Sequence, residues 1–315
     1  MTQNARHAID RGTLRRMLAF LVLSLALASC ASSAAVSEGP LELIDGSGRQ
    51  VSLAGTAKRI VSLAPSNTEL LYAVGAGPQL VGRDEVSDYP AEVLEVESIG
   101  STYGELNTET ILTLEADLVL AASITAPEQI QALESLGITT FVIADPADFE
   151  ALYDNLRVVG MLTGHEAEAD QLAEALATRV RVVTEAIEGS ARVRVFYEVD
   201  GTDPSAPWTT GQGTFQELLI DMAGGTNVAG DLQGWGQISL EELVAQDPQV
   251  VLFGYGIWVP TTTETLVARS GWTDIAAVKT GQVHAIDTNW VDRPGPRLVD
   301  ALEAMARAIH PELFD

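Results

Sequence analysis

Short apolar runs alternate with amphipathic stretches over most of the chain, and the alternation predicts strands and helices in turn. Residues 59–63 read as a strand, 67–74 as a helix, 118–121 as a strand, 128–136 as a helix and 140–143 as a strand. A second series follows: strand 193–199, helix 215–222, strands 250–253 and 283–286, and a closing helix over 297–309. Strands that alternate with helices predict an α/β chain with a parallel sheet in each series. Between the two, Leu172, Leu176, Val180 and Val183 fall at spacings of four, four and three, one apolar stripe on a helix over 166–188 that Gly189 stops. At 1.5 Å per residue that helix is roughly 35 Å long. It is long enough to brace two lobes, although an ordinary surface helix of one continuous domain has the same periodicity.

An internal repeat supports two lobes. Residues 107–120, Asn-Thr-Glu-Thr-Ile-Leu-Thr-Leu-Glu-Ala-Asp-Leu-Val-Leu, align without gaps on 239–252, Ser-Leu-Glu-Glu-Leu-Val-Ala-Gln-Asp-Pro-Gln-Val-Val-Leu. Each reads as a capped helix followed by a buried strand. Residues 68–77 and 216–225 form a second pair in the same order along the chain. Two similar lobes on a stiff helix leave a cleft between them, a common place for a ligand.

The first 29 residues have a different pattern. Arg6, Arg11, Arg15 and Arg16 flank an apolar run over 17–28, as in an export signal, and the run is shorter than the roughly 20 residues a bilayer span needs. It ends in Leu27, Ala28, Ser29 and Cys30, which resemble a bacterial lipobox, so Cys30, the only cysteine, is the expected lipidation site and no disulfide can form within one chain. The small, polar residues 31–40 read as a tether. The division expected is therefore a signal peptide over 1–29, a tether over 30–40, a first lobe over 41–145, a helical connector over 146–190 and a second lobe over 191–315.

Four of the 18 basic and one of the 44 acidic residues lie in the signal, which leaves 14 against 43 and a formal charge of −29. Such a surface repels phosphate backbones and argues against nucleic acid as a partner. Only Lys58 and Lys279 are lysines, a balance that suits solubility, salt tolerance or a cationic docking surface. A metal carrier would need three or four convergent His and carboxylate ligands, and beyond the signal the histidines are His165, His284 and His310, without paired spacing. No Gly-x-Ser-x-Gly elbow, Walker loop or Cys-His arrangement points to an enzyme, and no cofactor is expected. Asn107 and Ser239 sit where N-caps belong, which puts Glu109 and Glu241 in first turns; the helix dipole alone favours acids there, and the same placement presents one carboxylate per lobe on a common face.

Four stretches together carry a family resemblance. They are 59–70 (Arg-Ile-Val-Ser-Leu-Ala-Pro-Ser-Asn-Thr-Glu-Leu), 87–90 (Ser-Asp-Tyr-Pro), 107–120, and 289–298 (Asn-Trp-Val-Asp-Arg-Pro-Gly-Pro-Arg-Leu). Residues 41–315 resemble the class III periplasmic binding proteins for cobalamin, haem and ferric siderophores, most closely the cobalamin-binding branch. The resemblance implies two Rossmann-like lobes joined by a long rigid helix, little hinge motion, and a monomeric, lipid-anchored carrier outside the cytoplasm. It implies that Glu109 and Glu241 dock on an ABC permease dimer with its ATPase. By position it implies a corrinoid ligand against Tyr103, Trp208, Trp235, Trp290 and Arg293, with flat rings covering the ligand faces and the arginine reaching a polar edge. Arg293 could instead pair with Asp292 or another surface acid. Val86 and Ala122 depart from that branch, which can carry Tyr or Trp there; Tyr255 and Trp258, in a stretch that looks inserted, are candidate replacements. Haem or a ferric siderophore is the alternative ligand, and a lipid-anchored adhesion module without a transport role is the alternative of another class.

Overall fold

The polypeptide, here a computed structural model, is described over residues 39–255 and 261–314. Cys30, the signal and most of the tether therefore lie outside the described residues, as does Trp258. The first half is a four-stranded parallel sheet, β3 (Ile60–Ser62), β4 (Leu80–Arg83), β5 (Leu118–Ala122) and β6 (Thr140–Ile143), in the order β4-β3-β5-β6. It is preceded by an antiparallel hairpin of β1 (Leu41–Ile44) and β2 (Gln50–Leu53) that the hydrophobic pattern does not announce. In the second half, β7 (Val193–Asp200), β9 (Gly225–Asn227), β11 (Val250–Tyr255) and β12 (Val283–Asp287) repeat the arrangement, with β9 and β11 flanking β7 and β12 beyond β11, all parallel. The order β9-β7-β11-β12 is that of the first half, and the gapless repeat is the sequence trace of it.

The second sheet departs from the parallel expectation at one place. β8 (Trp208–Thr210) pairs antiparallel with the carboxyl end of β7, and β10 (Trp235–Gln237) pairs antiparallel with β8. Three-residue strands carry too short a pattern to be read as period two, so this ribbon was not legible in the sequence.

Strand side chains alternate between two faces, and both faces of each sheet are covered. In β5, Leu118 and Leu120 enter the main core, whereas Val119 and Ala121 join a second cluster with Val61, Ile111 and Leu133. In the second half, Phe196, Val251 and Phe253 point the other way from Val195, Tyr197 and Leu252, onto Leu243 and Trp272. The predicted long helix spans Glu166–Ile187, roughly 33 Å at 1.5 Å per residue. It ends at Gly189, whose φ of 79° is left-handed and favours glycine. It pairs with a preceding helix, Phe149–Thr163, and also packs on the last helix, Leu298–Ile309. Its Leu176, Val180 and Val183 are buried in a single core with Leu70, Leu120 and Phe141 of the first half and with Val195, Tyr197 and Leu302 of the second. Each such side chain contributes about 1.5–3 kcal/mol when fully buried, so the connector is continuous with both halves rather than a linker between them.

Candidate functional site

In open α/β sheets ligands gather beyond the carboxyl ends of the strands. Here those ends meet across the two halves. Helix Pro65–Ala73 follows β3 with a proline in its first turn, and that turn is buried although polar: Asn67, Thr68 and Glu69 are each 3% exposed or less. Glu69 accepts from Arg297 Nε at 2.8 Å and from Arg297 Nη2 at 2.6 Å, a bidentate pair that joins the two halves. Arg293 Nη1 lies 2.5 Å from Asp88 Oδ1 and 3.6 Å from Glu69 Oε1, and its Nη2 donates to the Val86 carbonyl at 3.3 Å. The Arg297 guanidinium also stacks over the Tyr89 ring, 4.1 Å from its centroid. Gly295 lies close by, and a Cβ there would meet Glu69 Oε2 and the Ser66 carbonyl at ordinary van der Waals distances of 3.6 and 3.7 Å.

Burial pushes the Glu69 carboxyl above its ordinary range, with Arg297 and then Arg293 pulling it back. Burial works against the charge of Arg297 too, but its hydrogen bonds to Glu69 and the charge beside it hold its pKa above the usual value. Asp84, at the end of β4, is likewise raised by burial against hydrogen bonds from Ser87 and the Val86 amide. Thr68 Oγ1 ties this loop to β3, lying 2.8 Å from Ser62 Oγ and 2.9 Å from Ser87 Oγ.

The expected aromatic residues lie around this junction in three places. In the β8–β10 ribbon Trp208 faces Gln237 and Trp235 faces Thr210. That register makes the two indoles diagonal neighbours on one face, about 7–8 Å apart at the backbone and within reach of a shared flat ligand. Both are open, at 44% and 57% exposure. Trp208 also pairs with Asp200, which fixes it at the carboxyl end of β7. Gly211 permits the ribbon to close, because a Cβ there would sit 2.3 Å from the Leu232 carbonyl oxygen. Behind the ribbon, a buried Glu198–Arg269 pair and the Trp272 indole, which donates to the Pro204 carbonyl at 3.0 Å, hold the loop that leads into Trp208. Trp290 follows β12 in the short helix Thr288–Val291 and is half-buried against the main core. Tyr103 belongs to the first half, 71% exposed, on a loop whose Thr102 carbonyl accepts from Gln129 Nε2 at 3.0 Å.

Sequence reasoning placed Arg293 in this region and allowed it a surface acid as partner, which is Asp88 rather than Asp292; it missed Glu69. It treated Arg297 as a helix-start residue, and Arg297 does cap the last helix, but its side chain is committed to Glu69. The one available signal was a carboxylate set in a run that is otherwise core, directly before Leu70 and Leu71. The two docking candidates sit as expected. Asn107 Oδ1 accepts from the Thr110 amide at 3.1 Å at the start of helix Thr108–Thr113, and Ser239 Oγ from the Glu242 amide at 3.2 Å at the start of helix Leu240–Gln246. Glu109 and Glu241 are therefore in equivalent first turns, both exposed.

Two α/β halves of the same strand order share a core and meet at their strand ends, a two-lobed architecture. The profile of the periplasmic binding protein family matches residues 60–289, and the chain belongs to that family, in its class III. It is 32% identical over 311 residues to an uncharacterized ABC transporter substrate-binding lipoprotein of Bacillus subtilis, covering 94% of this chain and 96% of that one. It is 31% identical over 280 residues to a cobalamin-binding protein of Halobacterium salinarum, covering 86% and 74% of the two chains. Among solved structures, the periplasmic vitamin B12 binding protein of Vibrio cholerae superposes with a TM-score of 0.69 at 27% identity, over 81% of this chain and 97% of that one. A periplasmic haem-binding protein from Roseiflexus superposes at 0.72 with 26% identity, over 82% and 100%. No described helix is long and apolar enough to cross a membrane.

Proposed function

We propose that this chain is the extracytoplasmic substrate-binding component of an ABC importer, a carrier rather than an enzyme. In this reading it is tethered through Cys30, captures cobalamin or a related corrinoid between its two halves and delivers it to a permease dimer with its ATPase. The observation that carries the reading is the meeting of both sheets at their carboxyl ends beside an exposed two-tryptophan ribbon. A large flat ligand would cover Trp208 and Trp235, rest its edge near Trp290 and Tyr103, and accept hydrogen bonds from Arg293. Glu109 and Glu241, exposed in equivalent turns of the two halves, suit a pair of cationic sockets on a two-fold permease. The relatives whose names state cobalamin or vitamin B12 support the corrinoid. Haem is the second reading, and the likeness to a haem-binding protein favours it.

Titration of the purified protein with cyanocobalamin, cobinamide and haemin, followed by absorbance and tryptophan quenching, decides the ligand. Saturable quenching by a corrinoid, lost in the Trp208→Ala/Trp235→Ala variant, is the expected result; absence of binding by all three ligands would end the reading. Charge reversal at both Glu109 and Glu241 should abolish uptake and leave ligand affinity intact.

A further inference from the structure

The junction of the two halves holds four arginines, and each is already engaged. Arg83, at the end of β4, gives Nε to the Val93 carbonyl and Nη1 to the Asp84 carbonyl, each at 3.0 Å. Arg269 is consumed by buried Glu198. Arg297 is held by Glu69 with both arms of its fork. Arg293, the one that reaches furthest toward the first half, lies on Asp88, whose side chain is half exposed, with Glu69 behind it. The two lysines stand elsewhere, Lys58 ahead of β3 on Thr56 and Lys279 at the Asp274 carbonyl. Among the described residues the junction thus offers arginine N–H groups but no cation without a protein partner. Asp200, Asp203 and Asp287 add negative charge at the ends of β7 and β12.

A ligand carboxylate arriving at Arg293 would have to share the guanidinium with Asp88. That would leave two carboxylates side by side in a partly desolvated space, a like-charge arrangement that interfaces use to reject wrong partners. A neutral amide carbonyl brings no such repulsion. The guanidinium has five N–H donors in a planar fork, so it can hold Asp88 and still donate to an uncharged acceptor. We infer that Asp88, backed by Glu69, is the specificity-determining group of this site. By neutralising Arg293 it admits ligands whose polar periphery is amide or cationic and refuses those rimmed with carboxylates. The inference rests on the reading of the junction as the ligand site given above.

The test compares two corrinoids with the same ring, cobinamide with peripheral amides and cobyrinic acid with peripheral carboxylates, and adds haemin, which carries two propionates. The wild-type protein should bind cobinamide at least about 100-fold more tightly than cobyrinic acid. Asp88→Asn, at a half-exposed position that folding tolerates, should strengthen cobyrinic acid binding about tenfold, a change of about 1.4 kcal/mol, and leave cobinamide within about threefold. Asp88→Glu should restore the discrimination. Equal wild-type affinity for both corrinoids, a ratio unmoved by Asp88→Asn, or haemin binding more tightly than cobinamide would each overturn the charge filter while the carrier reading stands. If none of the three ligands binds, the carrier reading fails and the filter falls with it.

Discussion

Replacing Glu69 by Ala tests whether the two halves are joined by a desolvated ion pair. The side chains of Glu69 and Arg297 are 2% and 12% exposed, and the pair is bidentate at 2.6 and 2.8 Å. Removing one partner of such a pair strands the other charge and costs about 3–5 kcal/mol, whereas replacing both by apolar groups of similar size is near neutral or stabilising. For a body of this size about 2–3 °C of Tm accompanies each kcal/mol, so Glu69→Ala should lower Tm by roughly 6–15 °C. Glu69→Leu/Arg297→Met should recover most of the loss, because Arg293 keeps Asp88. Urea unfolding monitored by circular dichroism gives the free energies, and repetition in 1 M NaCl separates a buried pair from a screened one, since exposed pairs are largely screened there. A cost below about 1 kcal/mol, or one that vanishes in salt, would place the pair among ordinary surface bridges and refute the reasoning.

Three further outcomes are expected. Burial raises the carboxyls of Glu69, Asp84 and Glu198, so their contribution to stability is complete below about pH 4.5 for the two glutamates and about pH 3.8 for Asp84, and is lost as pH rises through their raised values. Asp45 is lowered by Arg49 and Ser47 in spite of its burial, and Glu303 by Arg179; their contribution is lost as pH falls below about 4. Thermal scans should therefore show Tm rising as pH falls through the raised values toward about pH 4.5 and falling again below about pH 4; a flat profile would contradict the assignments. Trp272→Ala should cost about 3–5 kcal/mol in chemical denaturation, because the indole is fully buried at the edge of Phe196 and bonded to Pro204. Gly211→Ala should weaken corrinoid binding more than it lowers Tm, since its Cβ would push the ribbon away from Leu232; unchanged affinity would show that the ribbon does not carry the ligand.

What the sequence made legible was set by length and regularity of pattern. The continuous apolar run at 118–121 read as a buried strand, and the Leu172 to Val183 stripe as one helix face. The repeat then indicated two similar lobes, while the strand order within each sheet came only from the structure. The β8–β10 ribbon was illegible because three residues do not establish a period; Trp208 and Trp235 were expected at the ligand only through the family resemblance. The role of Glu69 as partner of Arg297 was hidden for a different reason. Glu69 and Arg297 are 228 positions apart, and nothing local at either end distinguishes a carboxylate that will be buried from one that faces water.

The core that runs from the first half through the Glu166–Ile187 helix into the second has a mechanical consequence. One half cannot swing wide of the other without exposing Leu176, Val180 and Val183 to water, so in the reading proposed above loading and emptying would proceed by small excursions near the junction. A carrier built this way advertises its cargo weakly through shape, and a receiving membrane complex would have to wedge the halves apart to empty it.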